Sequence, residues 1–240
     1  MTAPAHDFRG RVVIVTGVAR PGQIGQAVAE AFGRAGAQIV ACDRNAVAVA
    51  QRVRDFAAAG MDARPAAGDL TEPDAAQLAV EVALREFGRL DAVVNVAGGL
   101  TTYGPFSKLT TADVDREIAI NLKTCVMMSQ AAVEALAANG GAIVNFSSIA
   151  YFRPDANLAI YSAAKYAVAG FTRALAVELK GRGVRVNAVA PAMVRTPENV
   201  SEAGEDAEYV EMHEITDGVL RLAADPALTG EIVPIAPGGA

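Results

Sequence analysis

Stretches that read as strands buried on both faces alternate along this chain with stretches that read as helices. After its first residue, Arg11-Val12-Val13-Ile14-Val15-Thr16 is an unbroken, mostly β-branched run, the pattern of a parallel strand covered above and below. Gly17, Gly22 and Gly25 mark a loop, and residues 26–36 read as a helix whose small side chains face a sheet. Residues 38–42 form the second buried strand, ending at Asp43, and a helix over 46–59 stops at Gly60. Residues 63–66 are a weak third strand leading into Gly68-Asp69-Leu70. Thr71-Glu72-Pro73 starts a helix that runs to Phe87 and stops at Gly88, with Pro73 in the first turn, where its missing N–H costs nothing.

The second half continues the alternation. Ala92–Asn95 is the fourth strand, followed by Val96-Ala97-Gly98-Gly99 and a loop with Tyr103, Pro105 and Phe106. One long helix over 112–138 ends at Asn139-Gly140-Gly141. Ala142–Phe146 is the fifth strand, and the helix carrying Tyr161 runs to residue 180, before Gly181 and Gly183. Residues 184–189 form the sixth strand, then Pro191; 197–214 is polar and acidic; a helix over 215–224 leads to strand Ile232–Ile235 and a Gly238-Gly239 end. With no linker, repeat or low-complexity segment, residues 1–240 read as one α/β domain. It is a doubly wound parallel sheet of about seven strands with helices on both faces.

Composition narrows the function classes. With 240 residues and 52% apolar content the chain can bury a large core. The formal net charge is -6 and Lys and Arg do not cluster, which argues against a nucleic-acid partner. Cys42 and Cys125 are too few for a disulfide framework and fit a reducing, cytoplasmic setting. Residues 1–10 hold no apolar signal core, no apolar run approaches a membrane span, and no metal site is read.

The candidate chemistry centres on residues 147–165. Tyr161 and Lys165 are four apart, one above the other on a helix face. An ammonium beside a phenol of pKa about 10 favours the phenolate and prepares a general acid or base. Ser148, at the end of the fifth strand, could hold a substrate oxygen within the phenol's reach. The same spacing also arises by chance on an ordinary helix surface. The Gly17–Gly25 loop, between a strand and a helix N-terminus, suits a pyrophosphate, or is a plain turn. Asp43 suits the two hydroxyls of an adenosine ribose, or caps the next helix. Asp69, Asn95, Gly98, Gly99, Ser148 and Pro191 all fall at strand ends, where open parallel sheets bind ligands.

With these residues in place, the chain resembles the short-chain dehydrogenase/reductase family over 10–239. The resemblance implies a Rossmann-type domain binding NAD, with NADP possible. It implies cofactor contacts at Gly17, Gly22, Ile24, Gly25, Asp43, Asp69, Leu70, Asn95, Ala97, Gly98, Tyr161, Lys165, Pro191, Val194 and Thr196. It also implies catalysis by Asn121, Ser148, Tyr161 and Lys165. Ser148 holds the substrate hydroxyl, Tyr161 takes its proton, Lys165 lowers the Tyr161 pKa and binds the nicotinamide ribose, and Asn121 holds a water in the proton relay. Three departures stand out: a longer Gly17–Gly25 loop, Pro191-Ala192 where the family has Pro-Gly, and a short segment after Thr196.

Alternatives are an NADPH-dependent ketone or 3-oxoacyl reductase, an idle dinucleotide-binding protein on the same fold, and a methyltransferase, which would not call for the Tyr161–Lys165 pair. Arg20 and Arg44 could reach a 2′-phosphate, against the NAD preference that Asp43 implies. Tyr103, Phe106, Tyr151, Phe152, Leu158 and Met193 are candidate pocket walls. Residues 197–214 hold seven acids and no Lys or Arg. This segment is either a solvated face or a lid that repels anions and selects a neutral alcohol, diol or ketone. The family pairs the corresponding long helices across two-fold axes, so a homotetramer or homodimer is expected.

Overall fold

The computed structural model describes residues 6–238; residues 1–5 and the last two, Gly239 of the expected glycine end among them, lie outside it. Every residue of β1 (Val12–Thr16) is buried, as its uninterrupted apolar run requires. Val13 and Val15 join one core, while Val12 and Ile14 join the other, because strand side chains alternate between faces. The first core is closed by α1 (Ile24–Arg34), α2 (Ala46–Ala58) and α8 (Met212–Ala224). The second is closed by α3 (Pro73–Phe87), α5 (Thr124–Ala137) and α6 (Ala159–Leu179).

The sheet holds β2 (Gln38–Asp43), β3 (Ala63–Ala67), β4 (Ala92–Asn95), β5 (Ala142–Phe146), β6 (Arg185–Pro191) and β7 (Ile232–Ile235) beside β1. The order is β3-β2-β1-β4-β5-β6-β7, and every pairing is parallel. The order reverses between β1 and β4, which opens a crevice at their carboxyl ends. Both edge strands carry a proline, Pro65 in β3 and Pro234 in β7. An edge tolerates the missing donor, and the proline explains why β3 reads weakly.

Two regions differ from the sequence expectation. The single helix expected over 112–138 is α4 (Thr111–Ile118), one π-helical turn (Ala119–Lys123) and α5. The wide turn coincides with long-range bonds that periodicity does not encode: Asn121 bonds back to Gly99 through both ends of its amide. Single π-turns within helices often mark functional sites. The acidic segment is also folded. It contains α7 (Pro197–Ala203), capped by Thr196, whose hydroxyl accepts from Asn199 N at 3.2 Å. Val194 and Val210 then pair as an isolated parallel bridge.

Candidate active site at the carboxyl edge of the sheet

At the β1 end, Thr16 ties the two sides of the crevice together. Its hydroxyl accepts from Ala97 N at 2.9 Å and donates to Val94 O at 3.4 Å. Gly17 follows at φ +74, where a Cβ would sit 3.0 Å from Ala97 N. A Cβ on Gly25 would lie 2.1 Å from the Gly17 carbonyl oxygen, so glycine alone lets the α1 N-terminus press onto this turn. Ile24 begins α1 and packs on the core. Gly22 stands apart: its missing Cβ makes room for Pro197, whose Cγ would be 2.9 Å away. The lengthened loop thus meets the start of α7, and Arg20 and Glu198 pair there at 2.7 Å.

Asp43 ends β2 with one oxygen accepting from Ala19 N at 3.1 Å and the other from Asn45 N at 3.3 Å. It does not cap α2; Asn45 does, accepting from Ala48 N. Thr71 donates twice to Asp69, through its N–H and its hydroxyl, and holds that carboxyl below the usual aspartate range. Leu70 is buried in the core, so only its backbone borders the crevice. Asn95 departs from its expected place. Its amide donates inward to Asn145 Oδ1 at 2.9 Å and Ser129 Oγ at 3.1 Å, bracing β4 against β5 and α5. The side chain is 4% exposed, and its Oδ1 has no partner among the described residues. The Asn95 side chain is thus a strut below the crevice, and only its backbone is left to border it.

Gly98 brings the centre together. A Cβ there would lie 2.9 Å from Asn121 Oδ1 and 3.6 Å from Lys165 Nζ. Lys165 is 5% exposed and donates to Phe146 O at 3.0 Å, while Ser147 Oγ donates to the Lys165 carbonyl at 2.9 Å. Burial pushes the Lys165 ammonium down to about 8, against upward pulls from Cys125 and Glu117. Ser148 begins a short 3-10 turn and accepts from Ala150 N at 3.2 Å. Its hydroxyl favours the ionised form of the Tyr161 phenol.

The expectation that Lys165 lowers the Tyr161 pKa is not met in this structure. Burial pushes the phenol up, the Ser148 hydroxyl pulls it down, and Glu117 pushes it further up. The ammonium donates to the Phe146 carbonyl and stands over the Tyr161 ring, 5.6 Å from its centre. The sequence pattern does not single out Glu117, although it precedes Asn121 by one helical turn.

Beyond the centre, Pro191 ends β6 and is buried. The Val194 side chain joins the core, and its carbonyl already accepts from Thr196 N and Asn199 Nδ2, both at 2.8 Å. Tyr103 is exposed and accepts from Asn157 Nδ2 at 3.4 Å, joining the loop after β4 to the loop before α6. Phe106 and Met193 are exposed as well. Tyr151 and Phe152 pack together in the turn after β5, and Phe152 is exposed. Tyr151 stacks on Phe152 and on Tyr166 and accepts from Arg173 at 3.0 Å. Tyr166 is five residues past Tyr161, which turns it toward the opposite side of α6.

The profile of the short chain dehydrogenase family matches residues 11–207. The chain belongs to this family. A D-threitol dehydrogenase of Mycolicibacterium smegmatis is 39% identical over 79% of this chain and 73% of its own length. A cyclohexanol dehydrogenase of an Acinetobacter species is 34% identical over 88% of this chain and 83% of its own. A crystal structure ascribed to a short-chain dehydrogenase/reductase of Burkholderia xenovorans superposes with a TM-score of 0.88 at 27% identity, covering 98% of both chains. As a short-chain dehydrogenase, the protein is an NAD(P)-dependent oxidoreductase of CH–OH groups.

The residues at the crevice fit a dinucleotide. The Gly17 turn lies under a helix N-terminus, Asp43 offers a carboxylate at the next strand end, and a Cβ on Gly99 would meet nothing within 4 Å. Among the described residues, no helix is long and apolar enough to cross a membrane and no cluster suits a metal ion.

Proposed function

We propose that this chain is an NAD-dependent dehydrogenase of secondary alcohols and diols, reducing the matching ketones in reverse, with Ser148, Tyr161, Lys165 and Asn121 as catalytic residues. The supporting observation is Tyr161, with a buried Lys165 5.6 Å from its ring centre and Ser148 acting on its phenol, next to the switch in strand order. The Gly17 turn, Asp43 and Lys165 would hold the dinucleotide, whose nicotinamide supplies the hydride acceptor when bound. Ser148 donates to the substrate oxygen and keeps it beside the phenol. Tyr161 takes the hydroxyl proton in oxidation and returns it in reduction. Lys165 sets the local positive charge, and Asn121 lines the route by which the proton leaves past it.

NAD is the expected cofactor because the Asp43 carboxylate repels a 2′-phosphate, and Arg20 is engaged by Glu198. The names of the threitol and cyclohexanol relatives point to neutral polyols and cyclic alcohols. Acids in the segment after Thr196 favour the same class. The effect is reduced because three of the seven are paired: Glu198 with Arg20, and Glu205 and Glu211 with Arg195. A stripe of exposed positions on α6, Ala163, Tyr166, Gly170, Arg173 and Val177, fits a two-fold helix pairing, and we expect a homodimer or homotetramer. The test is NADH formation with cyclic alcohols and short polyols, repeated with NADP. Turnover of none of them, in either direction, with either cofactor, contradicts the proposal.

A further inference from the structure

Glu117 is a wholly buried carboxylate that the proposed reaction does not use. A carboxylate accepts hydrogen bonds and donates none, and burying one is unfavourable unless donors surround it. Here they do. Thr101 donates to Oε2 through its N–H at 3.1 Å and through its hydroxyl, and Asn121 Nδ2 donates to Oε1 at 2.9 Å. The other contacts of the Asn121 amide are to Gly99, whose N–H is 3.0 Å from Oδ1 and whose carbonyl is 2.9 Å from Nδ2, and to the Glu117 backbone carbonyl, 3.1 Å from Nδ2. A flipped amide would set its oxygen against the Glu117 carboxylate and against the Gly99 carbonyl. An apolar residue at 117 would pack without the desolvation penalty, but would leave Thr101 without this anchor.

We infer that Glu117 is a positioning residue: its buried carboxylate fixes the Asn121 amide in one orientation and ties Thr101 to α4, so that the Gly98–Gly99 turn and the π-helical turn stand as one unit beside Lys165. This rests on the proposed catalytic role of Asn121. The charge of Glu117 also reaches α6. The groups facing Lys165 are Cys125 from α5, Glu117 and the Phe146 carbonyl, and those facing Tyr161 are Ser148 and Glu117. Glu117 holds both the phenol and the ammonium upward. Its neutralisation therefore moves both downward, an effect that packing alone does not produce.

The experiment compares Glu117→Gln, Glu117→Asp, Thr101→Val and Tyr161→Phe in the full chain, by steady-state oxidation of a secondary alcohol across pH and by NADH binding. Glu117→Gln is expected to lower kcat about tenfold, to change KM less than about threefold, and to move the ascending limb of the pH profile to lower pH. Glu117→Asp keeps the charge and returns the limb toward its original position. Thr101→Val alters an exposed residue and removes one donor; it lowers kcat about threefold without moving the limb, and it decides the matter if Glu117→Gln does not fold. Wild-type kcat and an unmoved limb in Glu117→Gln, or wild-type kcat in Thr101→Val if that variant must decide, overturn the inference while an inactive Tyr161→Phe leaves the proposed function standing. An active Tyr161→Phe removes the proposed function itself.

Discussion

The cleft around Lys165 and the acidic segment after Thr196 are both rich in polar groups, yet burial holds the first and surface pairing the second. In the cleft, Lys165, Glu117, Asn121 and Ser148 are each buried and bonded to one or two fixed partners. In the segment, Glu205 and Glu211 share Arg195 at the surface, and only Tyr209 and Val210 are buried. Exposed pairs contribute about 0–1 kcal/mol and fade with salt. A buried charge depends on every partner it has. Each substitution below is a way to break or sharpen that contrast.

Lys165→Met has the largest expected effect, a loss of at least about a hundredfold in kcat. It also tests the buried charge through stability. The folded chain releases the Lys165 proton above about 8, whereas an ordinary lysine does so at 10.5. The unfolded chain thus binds more protons between those values, and this group's contribution to stability rises with pH there. Below about 8 the burial penalty is fully present. Cys42 and Cys125, both pushed up to about 12 by burial, act oppositely at higher pH; Cys42 is common to both proteins, whereas Lys165 pulls Cys125 downward and that pull is lost in the variant. The Tm of Lys165→Met minus that of the native chain should therefore be greatest below pH 8 and fall as pH rises to 10.5. A difference independent of pH would contradict a buried ammonium.

Asp43→Ala should follow, narrowing the NAD over NADP ratio of kcat/KM by about tenfold, or about 1.4 kcal/mol; an unchanged ratio would assign the preference elsewhere. In the segment, Tyr209→Phe removes the hydroxyl that donates to Gly204 O at 2.6 Å and Asn199 O at 3.1 Å. About 1 kcal/mol of stability should go with it, read as a lower urea midpoint. Glu198→Gln should do least, below about 1 kcal/mol and vanishing at high salt. A larger, salt-insensitive loss would mean that the Arg20 pair is not an ordinary surface contact.

Legibility in the sequence divides along the same line. All seven strands are legible, and the first five run into glycine or a polar residue, whereas β6 and β7 end at Pro191 and Ile235. The Tyr161–Lys165 pair is visible because i,i+4 spacing is local. Features made by distant partners are not visible. The π-turn at Asn121 depends on Gly99. The inward turn of Asn95 depends on Asn145 and Ser129. The order of the acidic segment depends on Val194 meeting Val210 and on Pro197 lying against Gly22. The lowered Tyr161 pKa fails as a reading because sequence spacing says nothing of burial, which dominates here.

The central claim is that the Tyr161 oxygen transfers the proton in a site that Lys165 and Ser148 hold ready. The most direct measurement is single-turnover oxidation of a secondary alcohol by Tyr161→Phe, alongside NADH binding followed by fluorescence. The account predicts a loss of about a thousandfold or more in rate, with cofactor affinity within about threefold of the native chain, because only the acid–base oxygen is removed. Near-native turnover in Tyr161→Phe would contradict it.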